Sequence, residues 1–202
     1  MGYKLFLLMG KSASGKDSVC EALLRRFDGR LRKIVPYTTR PIREGEKDGV
    51  EYHFVTVEEM QRMQQEGRVL ECRTYHVVVG DWHYFTADDG QIDASGVHTI
   101  MVATPEVYFA LMKTKYADAI VPIYLETEDE ERLLRSIWRE RKQEHPNFAE
   151  VCRRYLADEQ DFAPEVIDRM NVRLRFLNWQ FSSCIRLVGE AVAHEMQVAE
   201  EE

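Results

Sequence analysis

The chain has 202 residues, 45% of them hydrophobic, enough for one well-packed domain with small inserted subdomains. Twenty-seven Lys and Arg stand against 35 Asp and Glu, a formal net charge of -8, which argues against nucleic acid or an anionic membrane as the main partner. Cys20, Cys72, Cys152 and Cys184 form no Cys-x-x-Cys pair and read as reduced thiols. The apolar run LFLLM at 5–9 is too short for a membrane span or a signal peptide, so the expected location is the cytoplasm.

In chain order, KLFLLM (4–9) reads as a buried strand feeding a glycine loop, with Val19, Leu23 and Phe27 at helical spacing after it. KIVPY (33–37) reads as a second strand. A helix over 56–67 has Thr56 as N-cap, Glu59 three residues on and Gly67 as its stop. RVLECRTY (68–75) and WHYFT (82–86) are expected as short strands with Gly80 and Asp81 at the turn. HTIMVA (98–103) is a buried strand running into Thr104-Pro105-Glu106, a helix start. AIVPIYL (119–125) is the next strand, and Thr127 with Glu130 forms an expected capping box for a long charged helix. A helix over 146–162, a strand over 173–178 and a helix over 181–195 complete the chain. This alternation predicts an α/β fold with a parallel sheet flanked by helices.

Residues 10–18, GKSASGKDS, match G-x-x-x-x-G-K between a buried strand and a helix, the setting of a phosphate-binding loop. Glycine lets consecutive N–H groups turn inward on phosphates, Lys16 can bridge the outer phosphates, and the helix N-terminus adds its dipole. The loop residues Gly10, Lys11, Ser12, Ala13, Ser14, Gly15, Lys16, Asp17 and Ser18 are therefore the expected ATP-binding set. Asp17 occupies the position where a hydroxyl usually meets Mg²⁺. A carboxylate is itself a good hard-oxygen ligand for that ion, and Ser18 adds a hydroxyl.

A second anion site is suggested by Arg40 and Arg43, three apart on a proline-containing bend, whose guanidinium forks suit a phosphate monoester. The stretch TTRPIREGEKDGVEYHFVT (38–56) resembles the nucleotide-binding segment of the guanylate kinase family, T-T-R-x-x-R-x-G-E-x-x-G-x-x-Y-x-F-V, at every fixed position. The resemblance spans 4–86 clearly and the rest more loosely. It implies a P-loop NTPase-type core (1–37, 97–130 and 163–202), a small mixed-β monophosphate-binding subdomain (38–96) and a helical lid (about 131–162). It places Arg40, Arg43, Tyr52 and Tyr84 on the acceptor phosphate, and Glu71 and Thr86 on the guanine base, whose N1–H and amine are donors to a carboxylate.

The chain departs from the family pattern in two places. Phe85 stands for the glycine of the Tyr-Gly-Thr triplet, and Met101 and Ala103 stand for an acidic pair at a strand end. Asp17 is the expected stand-in for those acids, with Asp88 and Asp89 behind it.

Each arginine of 131–160, taken alone, reads as a surface ion pair. As a set in the lid position, Arg135, Arg139 and Arg154 are the expected carriers of charge to the transferring phosphoryl group, with Arg141 and Arg153 behind them. Asn178 falls where the family contacts the donor adenine. His76, His83 and His98 show no metal spacing. The activity implied is phosphoryl transfer from Mg-ATP to a nucleoside monophosphate, GMP or dGMP foremost, by a monomer or homodimer whose partners are small nucleotides, not nucleic acid or membrane. The alternatives are a P-loop kinase for another small phosphorylated acceptor and a non-catalytic phosphopeptide-binding module.

Overall fold

The computed structural model describes residues 2–43, 45–77, 80–93 and 96–201. Its centre is a five-stranded parallel sheet, order β2-β7-β1-β8-β9, made of Leu31–Lys33, His98–Ala103, Leu5–Met9, Ile120–Glu126 and Leu174–Leu177. β1 is central and wholly buried. Its side chains alternate by strand geometry: Phe6 and Leu8 pack with α1 (Lys16–Arg26) and α7 (Phe181–Glu201), while Leu5, Leu7 and Met9 pack with α3 (Pro105–Leu111) and α6 (Pro164–Met170). A second, mixed sheet has the order β4-β3-β6-β5, from His53–Phe54, Tyr37–Thr38, Gly80–Ala87 and Val69–Val77. Helix α2 (Val57–Gln65) covers it through Met60 and Met63 against Phe85 and Ala87. The stretch expected to form a lid is an α-hairpin of α4 (Asp129–Glu140) and α5 (Phe148–Asp161).

The α/β class and the parallel sheet are as expected, and the Thr56–Glu59 capping box is present in full. Several local expectations fail for physical reasons. The strand expected at 33–37 is split: Leu31–Lys33 pairs with β7, and Tyr37–Thr38 belongs to the second sheet, beyond Pro36. Gly80 and Asp81 are not the turn. They pair with Val77 and His76 inside the β5–β6 ladder, and positions 78 and 79 lie outside the described residues. Thr127 caps nothing: α4 starts after Glu128 without a side-chain cap, because the Thr127 hydroxyl donates instead to the Ser14 carbonyl at 3.3 Å. The helix expected from 146 starts at Phe148, after Asn147 accepts from the Glu150 N–H. Helix α6, unforeseen, begins with Pro164 in its first turn. No described helix is long and apolar enough to cross a membrane.

Candidate active site

The glycine loop leaves the C-terminal end of the central strand, where ligands bind in open parallel sheets. Two glycines are sterically required. A Cβ on Gly10 would lie 2.6 Å from Ser14 Oγ and 2.7 Å from the Leu125 carbonyl. Gly15 has φ +88°, and a Cβ there would meet Asn178 Nδ2 at 2.5 Å. Ala13 is also left-handed at φ 61°, an uncommon state for a residue with a Cβ.

The loop is braced from far along the chain. The Ser14 carbonyl accepts from Asn178 Nδ2 at 2.7 Å and from Thr127. Asn178, expected at the donor adenine, is 1% exposed and underpins the loop, with its Oδ1 buried and without a hydrogen-bond partner. Lys16 lies in the first turn of α1 and pairs with Asp17 at 3.9 Å. Asp17 and Ser18 are exposed at that helix start.

The donor set fits Mg²⁺ held jointly with a nucleotide. The described residues contain no group of three or more His, Cys, Asp or Glu able to hold a metal ion. Magnesium in phosphate sites takes one or two protein oxygens and completes its shell with phosphate and water. Asp17 and Ser18 supply such oxygens. Asp88 and Asp89 do not stand ready for that role: Asp88 takes Lys115 and the Tyr116 hydroxyl, and Asp89 takes Tyr37 and Gln91. The Lys115 and Tyr116 hydrogen bonds hold the Asp88 carboxyl below its ordinary range.

Of the residues expected at the acceptor, Glu71, Tyr84 and Thr86 lie on the second sheet, with Arg40 beside them. In an antiparallel ladder, directly opposed residues point to the same face. Glu71 faces Thr86, and Arg73 faces Tyr84, so all four share one face. Thr86 Oγ1 donates to Glu71 Oε1 at 2.7 Å. Burial pushes the Glu71 carboxyl above the ordinary glutamate value, partly offset by that hydrogen bond and by the Arg73 charge.

Arg40 is 3% exposed, and its Nε donates to the Tyr84 hydroxyl at 3.1 Å. Its two terminal nitrogens grip Glu46 at 2.9 and 2.8 Å, and the Arg43 N–H reaches the same carboxylate at 2.8 Å. The Arg40 guanidinium thereby holds the Glu46 carboxyl down to about 2. The guanidinium also lies 5.6 Å from the Tyr52 ring centre, and Tyr52 meets Tyr84 edge-on. Burial raises the Tyr52 phenol, and the Asp17 carboxylate on the donor side raises it further. Phe85, the residue in place of glycine, points to the opposite face, 1% exposed and stacked on Tyr37 at 5.1 Å. It fills the core beneath α2 rather than the acceptor face. Met101 and Ala103 are buried in the main core.

The arginines expected on the lid divide. Arg139 and Arg154 line a cavity of about 110 Å³ whose wall includes Ser12 of the loop. Arg135 turns away, to Glu131 at 2.8 Å and the Asn178 carbonyl at 3.4 Å. Arg141 stacks over Trp138, and Arg153 and Arg154 both pair with Glu150, which lines that cavity too. The cation that sequence reasoning missed is Arg132. It is 1% exposed, lines the same cavity and bonds Asp129, Asp158, Glu159 and the Ser12 carbonyl. Nothing local distinguishes it from its neighbours, since its partners come from α5 and the loop. A larger cleft of about 510 Å³ touches the loop through Lys11 alone. Its wall carries Glu126, Glu128, Asp129, Glu130, Glu159 and Asp168, a poor setting for a polyphosphate.

Comparison with known proteins matches residues 2–163 to the family model described as "Guanylate kinase". A guanylate kinase of Campylobacter jejuni (strain RM1221) is 31% identical over 130 residues, covering 64% of this chain and 62% of that protein. One from Symbiobacterium thermophilum is 48% identical over 67 residues, 33% of this chain and 31% of that protein. The chain thus spans about three fifths of the Campylobacter relative's length. The crystal structure of guanylate kinase from Anaplasma phagocytophilum superposes with a TM-score of 0.58 at 23% identity, covering 98% of this chain and 87% of that one, a likeness of fold.

Proposed function

We propose a function that starts from one fact, that this chain belongs to the guanylate kinase family: it transfers the γ-phosphoryl group of ATP to the phosphate of a nucleoside monophosphate, with GMP and dGMP as acceptors. The observation that carries this reading is the shared face of the second sheet. There a half-buried carboxylate, Glu71, stands beside Thr86, and two residues along the strands Tyr84 meets Arg40. A carboxylate suits the two donors of guanine, and arginine with a phenol suits a phosphate monoester.

In this reading the loop N–H groups and Lys16 hold the donor phosphates in line with the acceptor phosphate held by Arg40, Arg43, Tyr52 and Tyr84. The acceptor oxygen is already anionic, so positioning and charge neutralisation suffice without a general base. Arg139 and Arg154 deliver positive charge from the lid while excluding water. Arg135 stays tied to Glu131 and the Asn178 carbonyl, outside the cavity that Arg139 and Arg154 line. Asp17 and Ser18 would hold Mg²⁺, which when bound neutralises charge on the outer phosphates. Asp17 thus takes over metal work for which the buried Met101 and Ala103 have no ligand atoms.

The test is ADP release from Mg-ATP against GMP, dGMP, AMP, CMP, UMP and dTMP. Turnover restricted to GMP and dGMP is expected; turnover with none of them overturns the assignment. For the metal, Asp17→Ala is expected to raise the Mg²⁺ concentration needed for half-maximal rate by about tenfold, and an unchanged requirement removes Asp17 from the ligand set.

A further inference from the structure

The last turn of α5 reads Asp158-Glu159-Gln160-Asp161, and it touches the donor loop and the acceptor sheet at once. Towards the loop, Asp158 accepts from the Ser12 N–H at 2.7 Å, and Glu159 accepts from Lys11 Nζ at 2.6 Å. Buried Arg132 clamps this side, reaching Asp158 at 3.4 Å, Glu159 at 2.9 Å and the Ser12 carbonyl at 3.3 Å. Towards the acceptor sheet, Asp161 pairs with Arg73 at 3.4 Å. Arg73 follows Glu71 by two residues on β5 and shares its face. Its other nitrogens reach Glu106 at 2.7 Å and Thr104 Oγ1 at 3.1 Å, at the start of α3.

We propose that this single helical turn, acting through Arg73, couples occupancy of the phosphate loop to the geometry of the base-reading strand; the inference rests on the donor and acceptor assignments made above. Asp158 and Asp161 are three residues apart, neighbours on one side of the helix about 4.5 Å apart along its axis. A hydrogen-bonded turn moves as a unit. Any displacement of the loop at Lys11 and Ser12 is therefore carried by Asp158 and Glu159 to Asp161, and by Arg73 to β5 beside Glu71. The loop-side contacts are shielded from solvent, with the Asp158 side chain 13% exposed against buried Arg132. Asp161 is 41% exposed opposite an Arg73 that is 20% exposed, so the Asp161–Arg73 pair is the salt-sensitive link of the chain. Arg73 is a positioning residue: it acts on Glu71 through the strand that carries both.

The experiment is amide hydrogen exchange of the full chain with and without a non-hydrolysable Mg-ATP analogue, with no acceptor present. In the wild type the analogue is expected to change exchange both at 10–18 and, several-fold, at 70–75. In Arg73→Met and in Asp161→Asn the response at 70–75 is expected to vanish while that at 10–18 persists. The double variant should behave as either single one, because both remove the same link. Arg73→Lys should restore part of the response, which a merely structural role would not predict. A wild-type strand 70–75 that ignores the analogue while 10–18 responds overturns the coupling, as does an Arg73→Met variant that responds like the wild type. Because no GMP is used, failure of the acceptor assignment would show only in turnover, whereas failure of the donor assignment would leave 10–18 itself unresponsive in the wild type.

Discussion

On the proposed function the loop at 10–18 and the Arg40 loop each take an anion, yet they are built from opposite materials. The donor loop presents backbone: N–H groups at the end of β1, shaped by Gly10 and Gly15 and braced by Asn178. The acceptor site presents side chains, with Arg40 fixed by Glu46 and Tyr84, and Glu71 fixed by Thr86. A backbone site is set by conformation, so most of its side chains can vary while its glycines cannot. A side-chain site is set by chemistry, so each member has its own partner and its own cost of removal.

The largest expected effect breaks the side-chain site. Arg40→Met removes the cation from a buried, hydrogen-bonded pair and leaves Glu46 and the Tyr84 hydroxyl without it. Truncating one partner of such a pair costs ~2 kcal/mol or more, so KM for GMP should rise roughly 30-fold or more with ATP affinity unchanged. Steady-state kinetics with each substrate varied in turn checks this. A smaller effect is expected at the backbone site. Gly15→Ala places a Cβ at φ +88° against Asn178 and should weaken ATP binding about tenfold, the equivalent of ~1.4 kcal/mol, with GMP binding retained. Calorimetric titration with each nucleotide would separate the two.

The smallest effect sharpens the chemistry of the acceptor face. Guanine needs the ionised form of Glu71, and burial raises this carboxyl. As pH falls through that raised value, the group protonates and loses its acceptor for N1–H, so kcat/KM for GMP should fall on an acid limb lying above the ordinary glutamate pKa. The pH profile of Glu71→Gln should lack this limb.

The glycine loop and its setting between β1 and α1 were legible because the signal is local: two glycines and a lysine between a buried strand and a helix. The residues expected at the acceptor came from pattern, and the ladder that opposes Glu71 to Thr86 and Arg73 to Tyr84 gives that pattern a common face. What stayed hidden is what depends on distant partners. Arg132 is one arginine in a charged helix until α5 and Ser12 surround it. Thr127 followed by Glu130 reads as a cap until the Ser14 carbonyl claims the hydroxyl. Phe85 reads as a bare departure from the triplet's glycine until strand alternation turns it into the core under α2. The split of 33–37 between two sheets depends on which neighbours each half finds, information that no five-residue window contains.

The brace under the loop has a consequence for the order of folding. The Ser14 carbonyl is held by Asn178, a contact spanning 164 positions of the chain. The loop sequence is made 164 residues ahead of its support, so a chain emerging from the ribosome lacks this support until β9 has docked beside β8. Nucleotide added to such a chain acts as a ligand of the finished fold and stabilises it by mass action. Truncation before residue 178 should therefore abolish nucleotide protection even though every residue of the loop itself is still present.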